Sequence, residues 1–272
     1  METVRLATTA MGCRWEFALA GSDPVALRAA GEEAIEEVAS AHARLSAFAG
    51  DSVVTRINAG AGVHFERVDA EVLELLSACE SVRVATDGAF DVCVGRVMEA
   101  RGYTRSPAGS STTLEATVGR LVIDASASTV GLAEAGSAVD LGGVGKGFGL
   151  DLAVACLREF GVASAFVHAG TSSMAAIGRR HDGARWRVGL PGGGEVELED
   201  SAMSVSGTEV QGGHVLDPRT GEPALERGAV AVRGPSAALC DAWSTACLVD
   251  SVNAGRLPGG YVCLEEAKAW TV

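Results

Sequence analysis

The sequence predicts an α+β fold. Short β-type segments and amphipathic helices are interspersed along the chain without the strict βαβ alternation of a doubly wound parallel sheet. The chain has 272 residues, of which 47% are hydrophobic, so it can bury a substantial core. Because no linker and no internal repeat divides the sequence, we expect a single domain over residues 1–272.

Two helices are expected in the first third of the chain. Asp23 and Pro24 have the pattern of an N-cap followed by proline in the first helical turn, and apolar residues recur behind them at helical spacing. The second helix is expected to start at Asp69 and to end near Asp87 and Gly88, which form a typical turn pair.

Most of the predicted strands lie in the second half of the chain. Before them, residues 86–92 are expected to form a turn that leads into a strand, and residues 104–117, rich in Ser, Thr, Gly and Ala, a loop. A helix is expected to follow the glycines of 142–149 and to end at Gly161, and another is expected over 236–249. The predicted strands are 118–124, 164–168, 186–190, 195–198, 202–206, 229–233 and 260–264.

The charge and the cysteines limit the possible partners and compartment. A net charge of -13 disfavours attraction to nucleic acid and to anionic membranes. The seven cysteines form no CxxC pair and several lie in apolar runs, which indicates buried thiols in a reducing cytosol. No signal sequence and no membrane-spanning stretch is apparent. We therefore expect a cytoplasmic protein that binds no nucleic acid and does not insert into membranes.

The segment from residue 142 to residue 149 contains five glycines at the start of a predicted helix. Glycines at such a position let the backbone approach an anion and expose N–H groups toward it. The segment matches neither the P-loop nor the dinucleotide-binding fingerprint. Two interpretations therefore stay open, a phosphate site and a tight turn with close packing.

Two further groups of residues are candidates for metal binding and for acid–base chemistry. Asp241 and Thr245 are four residues apart on a predicted helix, so they share a face and offer two oxygen ligands to a hard cation such as Mg²⁺. Alternatively, Asp241 supports the first turn of its helix and Thr245 bonds to a backbone carbonyl. His214 precedes the turn sequence DPRTG, where a neutral imidazole can accept a proton and Arg219 can bind a phosphate or a carboxylate. A turn with a satisfied histidine is the alternative.

Taken together and in order, these motifs resemble the ApbE-type FAD:protein FMN transferases. The resemblance implies an α+β domain with sheets related to the T-fold, a cleft that holds FAD, and Mg²⁺ beside the FAD pyrophosphate. It also implies that a Thr or Ser hydroxyl of an acceptor protein attacks the FMN-side phosphorus, which leaves FMN in phosphoester linkage and releases AMP. The matching segments are MGC at 11–13, LSAF at 45–48 with Ser52 and Asn58, TDGAFD at 86–91, DLGGVGKGFGLD at 140–151, Ser206-Gly207, HVLDPRTG at 214–221 and CDAWSTA at 240–246.

The resemblance implies roles for individual residues. Asp241 and Thr245 match side-chain ligands of Mg²⁺, and the carbonyl of Gly145 matches a third ligand. His214 matches a histidine that acts as general base or orients the phosphates, so His214 and Asp241 are the expected catalytic residues. The FAD-binding residues would be Met11, Gly12, Phe48, Asp87, Gly88, Lys146, Gly170 and Thr171.

The chain also departs from the family pattern, as a divergent member would. The family's N-x-G-G-D reads HAGTS at 168–172, Cys13 replaces a threonine, and Arg96 replaces a proline. Thr171 adds a Cβ atom where glycine is usual, which would reshape the nucleotide pocket. Two alternatives to FMN transfer therefore stay open: hydrolysis of FAD to FMN and AMP, and binding of FAD without cleavage.

Overall fold

The computed structural model describes residues 2–104, 118–190, 193–207, 215–224 and 228–265. The strands are β1 (Glu2–Ala10), β2 (Cys13–Gly21), β3 (Glu66–Arg67), β4 (Leu121–Asp124), β5 (Thr129–Leu132), β6 (Ala165–Ala169), β7 (Ser173–Ile177), β8 (Trp186–Gly189), β9 (Glu195–Leu198), β10 (Ser201–Gly207), β11 (Ala229–Gly234) and β12 (Val262–Glu265). The helices are α1 (Pro24–Leu45), α2 (Val53–Ala59), α3 (Ala70–Ala85), α4 (Gly95–Ala100), α5 (Gly145–Glu159) and α6 (Ala237–Val249), with a 3₁₀ helix at Ser251–Arg256.

Seven strands form one antiparallel sheet in the order β1-β2-β6-β7-β10-β11-β12. A three-stranded sheet, β3-β5-β4, and the β8-β9 hairpin complete the β structure. The α+β prediction is confirmed. The sequence did not predict the hairpin of β1 and β2, whose turn consists of Met11 and Gly12 with φ angles of 49° and 73°. Positive φ at both positions matches the right-handed twist of the paired strands.

The two faces of the large sheet are covered differently. Helices α1, α5 and α6 pack on one face, where Ala175 and Ile177 of β7 join the main core. The alternate residues of the same strand, Met174 and Ala176, face the other way and belong to a second cluster with Leu198 of the β8-β9 hairpin. This alternation follows from the period of two along a strand. The helical face is the one that carries the candidate site.

The capping signals of the sequence are confirmed in the structure. The Asp23 carboxylate accepts hydrogen bonds from the N–H groups of Val25 and Ala26, both at 3.0 Å, ahead of α1. Asp69 caps α3 in the same way. The helix predicted after the glycines of 142–149 is present as α5, which already begins within them at Gly145, and Gly161 follows it with φ 75°. The helix predicted over 236–249 is present as α6.

Residues 86–92 form the predicted turn but do not lead into a strand, so that part of the prediction is wrong. The Asp91 carboxylate accepts a hydrogen bond of 2.8 Å from the N–H of Cys93 and turns the chain toward α4. Beyond this turn, Val94 makes an isolated bridge to Ala138. Apart from Thr104, the loop predicted over 104–117 lies outside the described residues.

All seven cysteines lie within the described residues, and no disulfide joins them. Five are buried, as predicted, whereas Cys13 and Cys263 are partly exposed. Burial raises the pKa of the Cys79 thiol to about 12, so this side chain stays protonated at neutral pH. Within the described ranges, the structure contains no helix with the length and hydropathy of a membrane span.

Candidate active site

The predicted site residues of α5 and α6 meet where the two helices cross. Gly147 lies at the crossing, because a Cβ atom at this position would collide with the backbone of Ala237 and Ala238. The N–H of Gly147 donates a hydrogen bond of 2.6 Å to Oδ2 of Asp241. The close approach permitted by glycine therefore places the first turn of α5 directly against the acid of α6. We call this region the α5–α6 junction.

The carboxylate of Asp241 is buried, with 5% of the residue exposed. Its Oδ1 atom accepts hydrogen bonds from the hydroxyls of Ser173, at 2.8 Å, and Ser204. Burial is the larger effect and raises the pKa of Asp241 above its ordinary value, and the nearby Lys146 ammonium and the three hydrogen bonds offset part of this rise. The acid is thus removed from water and surrounded by donors that favour its charged form.

A different acid supports the first turn of α6. Asp151 of α5 accepts hydrogen bonds from Ser236 Oγ at 2.7 Å and from the N–H groups of Ala237 and Ala238 at 2.7 and 3.0 Å. The alternative in which Asp241 supports this turn is therefore wrong. In the sequence, Asp151 is only the last residue of the DLGGVGKGFGLD segment. The structure shows that its carboxylate fixes the start of α6, the helix that carries Asp241.

Thr245 lies one turn after Asp241, as the spacing predicted. Its hydroxyl donates a hydrogen bond of 3.0 Å to the carbonyl of Asp241, and its oxygen lies 3.2 Å from Ser206 Oγ. The bond to a backbone carbonyl, which the sequence offered as an alternative to metal binding, is thus present. It does not exclude ligation, because a hydroxyl oxygen that donates its proton keeps two lone pairs as an acceptor.

The oxygen atoms at the junction suit a magnesium ion. The described residues contain no group of three His, Cys, Asp or Glu side chains that could hold a metal. Mg²⁺ does not require such a group, since it is usually bound through one or two carboxylates together with water and substrate phosphates. An ionised carboxylate has about four lone-pair sites, and the three hydrogen bonds to Asp241 leave one of them on Oδ2. Asp241, Thr245 and the carbonyl of Gly145 therefore form a chemically suitable donor set.

The glycines of 142–149 serve two purposes: some permit close packing, and others leave the backbone open. A Cβ atom at Gly149 would lie 2.9 Å from Trp15, which shows that this glycine permits close packing. A Cβ atom at Gly145 would meet only Met11 Sδ, at 3.9 Å, so the backbone is open there. The N–H of Lys146 also has no acceptor within the described part of the chain. The start of α5 is thus open to an anion.

The turn of Met11 and Gly12 reaches this open end of α5. The Met11 side chain lies close to Gly145, and its N–H donates a hydrogen bond of 2.6 Å to Nδ1 of His42 in α1. Nδ1 is therefore an acceptor, and the His42 proton lies on Nε2. This contact was not predictable from the sequence, because His42 has no motif around it and its partner is a backbone group of the β1–β2 turn, 31 residues away.

Asp87 and Gly88 lie in a turn that is held by arginines from elsewhere in the chain. Arg256 donates a hydrogen bond of 2.6 Å to the Asp87 carboxylate. The Cγ atom of Arg219 lies 3.6 Å from the position that a Cβ of Gly88 would take. Arg219 itself binds the carboxylates of Asp217, at 2.8 Å, and Asp250, at 3.3 Å. Of the two kinds of ligand expected for Arg219, the structure shows a carboxylate.

Of the remaining predicted residues, Gly170 and Thr171 lie next to a strand of the junction, and Phe48 lies at the surface. Gly170, with φ 60°, and Thr171 form the turn that enters β7, whose first residue, Ser173, bonds to Asp241. Phe48 is 66% exposed on the segment between α1 and α2. His214 lies outside the described residues.

The fold belongs to a class of α+β proteins with known structures. The flavinyl transferase ApbE of Pseudomonas stutzeri, in its apo form, superposes with a TM-score of 0.81 at 25% identity, over 96% of this chain and 94% of that chain. The model of the ApbE family matches residues 11–257. The chain therefore belongs to the ApbE family, which confirms the resemblance found in the sequence motifs.

Two curated relatives carry the name FAD:protein FMN transferase. The protein of Rhodobacter capsulatus is 30% identical, over 70% of this chain and 40% of the relative. The protein of Salmonella typhimurium is 27% identical, over 75% of this chain and 66% of the relative. The chain thus matches less than two thirds of the length of each of these relatives.

Proposed function

We propose that this protein transfers FMN from FAD to a threonine or serine hydroxyl of an acceptor protein and releases AMP, with Mg²⁺ as the metal. The observation that carries the proposal is the buried Asp241 carboxylate beside Lys146 and the open first turn of α5. Family membership and the names of the relatives support the same reaction.

The local groups at the junction can bind a diphosphate although the chain has a net charge of -13. Lys146 supplies a cationic side chain, and the helix start supplies N–H groups and the positive end of the helix dipole. Asp241, Thr245 and the Gly145 carbonyl would hold the metal ion. When bound, Mg²⁺ would neutralise phosphate charge and polarise the phosphoryl oxygens.

His214 is the proposed general base. It would accept the proton of the acceptor hydroxyl while that oxygen bonds to the FMN-side phosphorus, and the bond from this phosphorus to the oxygen of AMP breaks. Support comes from the DPRTG turn that follows His214, because Arg219 of this turn lies against Gly88. The turn thus lies beside another segment proposed to bind FAD.

Two of the segments proposed to bind FAD lie close to these groups. The Met11-Gly12 turn approaches the start of α5, and the Gly170-Thr171 turn enters the strand that supports Asp241. We also propose that the reaction takes place in the cytoplasm, since seven cysteines without a disulfide are typical of a reducing compartment. The remaining proposed contacts are Phe48, Asp87, Gly88 and Lys146.

The proposal is tested by incubating the full chain with FAD, Mg²⁺ and a library of acceptor peptides that contain threonine and serine. Mass spectrometry should detect FMN on a hydroxyl residue of an acceptor and an equal amount of AMP. Free FMN together with AMP would instead indicate FAD hydrolysis. Intact FAD that remains bound to the protein would indicate a binding protein, and either result would contradict FMN transfer.

A further inference from the structure

The two oxygen atoms of Asp241 are used unequally. Oδ1 accepts hydrogen bonds from both Ser173 and Ser204, whereas Oδ2 accepts one bond, from the N–H of Gly147. Each carboxylate oxygen has about two lone pairs. The serine hydroxyls therefore occupy Oδ1 fully, and Oδ2 keeps the only lone pair available to a cation.

The sheet holds the two serines in place. Ser173 of β7 and Ser204 of β10 are direct cross-strand partners, so their side chains point to the same face of the sheet. Both are buried, at 0% and 2% exposure. Because these strands are interior members of the seven-stranded sheet, the backbone of both serines is held by neighbouring strands on either side.

We propose that Ser173 and Ser204 determine metal specificity by restricting Asp241 to monodentate ligation through Oδ2, which selects Mg²⁺ over Ca²⁺. The inference rests on the proposed function, which places a divalent cation at Asp241. Mg²⁺ is small and octahedral and is bound through single carboxylate oxygens, whereas Ca²⁺ takes six to eight oxygen ligands and accepts bidentate carboxylates. Blocking Oδ1 removes a ligand that Ca²⁺ can use and Mg²⁺ does not need.

A purely structural role of the serines has a different consequence. If they only satisfied a buried carboxylate, removing one hydroxyl would weaken the binding of both cations by the same factor. Under the metal-specificity role, removing one hydroxyl frees a lone pair on Oδ1, so that Asp241 can bind Ca²⁺ through both oxygens. The ratio of the two affinities therefore separates the two roles.

The test measures cation binding to the full chain with Mn²⁺ as a spin probe and with Mg²⁺ or Ca²⁺ as the displacing ion. In Ser204→Ala, the Ca²⁺ affinity relative to the Mg²⁺ affinity should rise about tenfold, the lower end of the usual effect of residues that orient metal ligands. Ser173→Ala should change the ratio in the same direction. The matched control is Ser137→Ala, since Ser137 is also buried but bonds to the Glu134 carbonyl.

The inference would be overturned by an unchanged affinity ratio in both serine variants, as when both cations lose affinity equally, or by Mn²⁺ binding to the wild type that Asp241→Asn does not alter. Absence of Mn²⁺ binding to the wild type would do the same. If Ser204→Ala does not fold, Ser173→Ala decides the question alone. Because the assay uses neither FAD nor an acceptor, a chain that shows the ratio change but transfers no FMN would refute only the proposed function.

Discussion

Gly147 donates its backbone N–H to Oδ2 of Asp241 across 2.6 Å, and this bond joins the first turn of α5 to the second turn of α6. The same glycine lies against the backbone of Ala237 at the start of α6, where a Cβ atom would collide. One residue thus sets both the helix crossing and the position of the buried acid. A change in the crossing would move Asp241 relative to Lys146 and the open start of α5.

The first prediction concerns this crossing. Gly147→Ala should lower the free energy of unfolding by about 1–3 kcal/mol, because the new Cβ atom forces two packed backbones apart. Urea denaturation measures this loss. Gly255→Ala is the control, since nothing lies within 4 Å of its Cβ position. Equal stability of the two variants would show that the crossing tolerates a side chain.

The second prediction concerns the acid. Asp241→Asn should slow Mg²⁺-dependent release of AMP from FAD by at least about 100-fold, because the only carboxylate among the proposed ligands is lost. Chromatographic detection of AMP measures the rate. Circular dichroism should show a folded protein. A folded variant that releases AMP at the wild-type rate would remove Asp241 from the metal site.

The third prediction concerns the hydroxyl one turn later. Thr245→Val keeps the shape of the side chain but removes its oxygen, so the Mg²⁺ concentration that gives half-maximal AMP release should rise about tenfold. Thr245→Ser keeps the oxygen and should stay close to the wild type. If valine and serine give the same Mg²⁺ dependence, then the hydroxyl only bonds to the Asp241 carbonyl.

The fourth prediction concerns the proposed base. His214→Asn should reduce kcat for FMN transfer more than it reduces the affinity for FAD, because a general base acts on the hydroxyl proton rather than on the bound nucleotide. Steady-state kinetics and FAD titration supply the two quantities. A loss confined to FAD affinity would assign His214 to nucleotide binding instead.

The sequence predicted the parts of the fold that depend on local signals. The caps at Asp23 and Asp69 and the helical spacing behind them gave α1 and α3. Strand β7 was missed because all five of its residues, SMAAI, are buried, so it lacks the alternation that marks a half-buried strand. The β1-β2 hairpin was missed because its turn residues, Met11 and Gly12, match no common hairpin signal.

As for the fold, the parts of the candidate site that depend on local spacing were predictable from the sequence. The four-residue spacing of Asp241 and Thr245 placed both on one helix face, as the structure shows. Ser173 and Ser204 were not predictable, because they lie 68 and 37 residues from Asp241 in sequence and reach it only through the register of β7 and β10. Side-chain pairs of this kind depend on tertiary packing and leave no local pattern.

The most direct test of the account is a crystal structure of the full chain with FAD and Mn²⁺, the latter located by its anomalous scattering. The account predicts one anomalous peak within bonding distance of Asp241 Oδ2 and Thr245 Oγ1, with the FAD diphosphate next to it at the start of α5. A peak elsewhere, or a diphosphate bound away from the α5–α6 junction, would contradict the central claim.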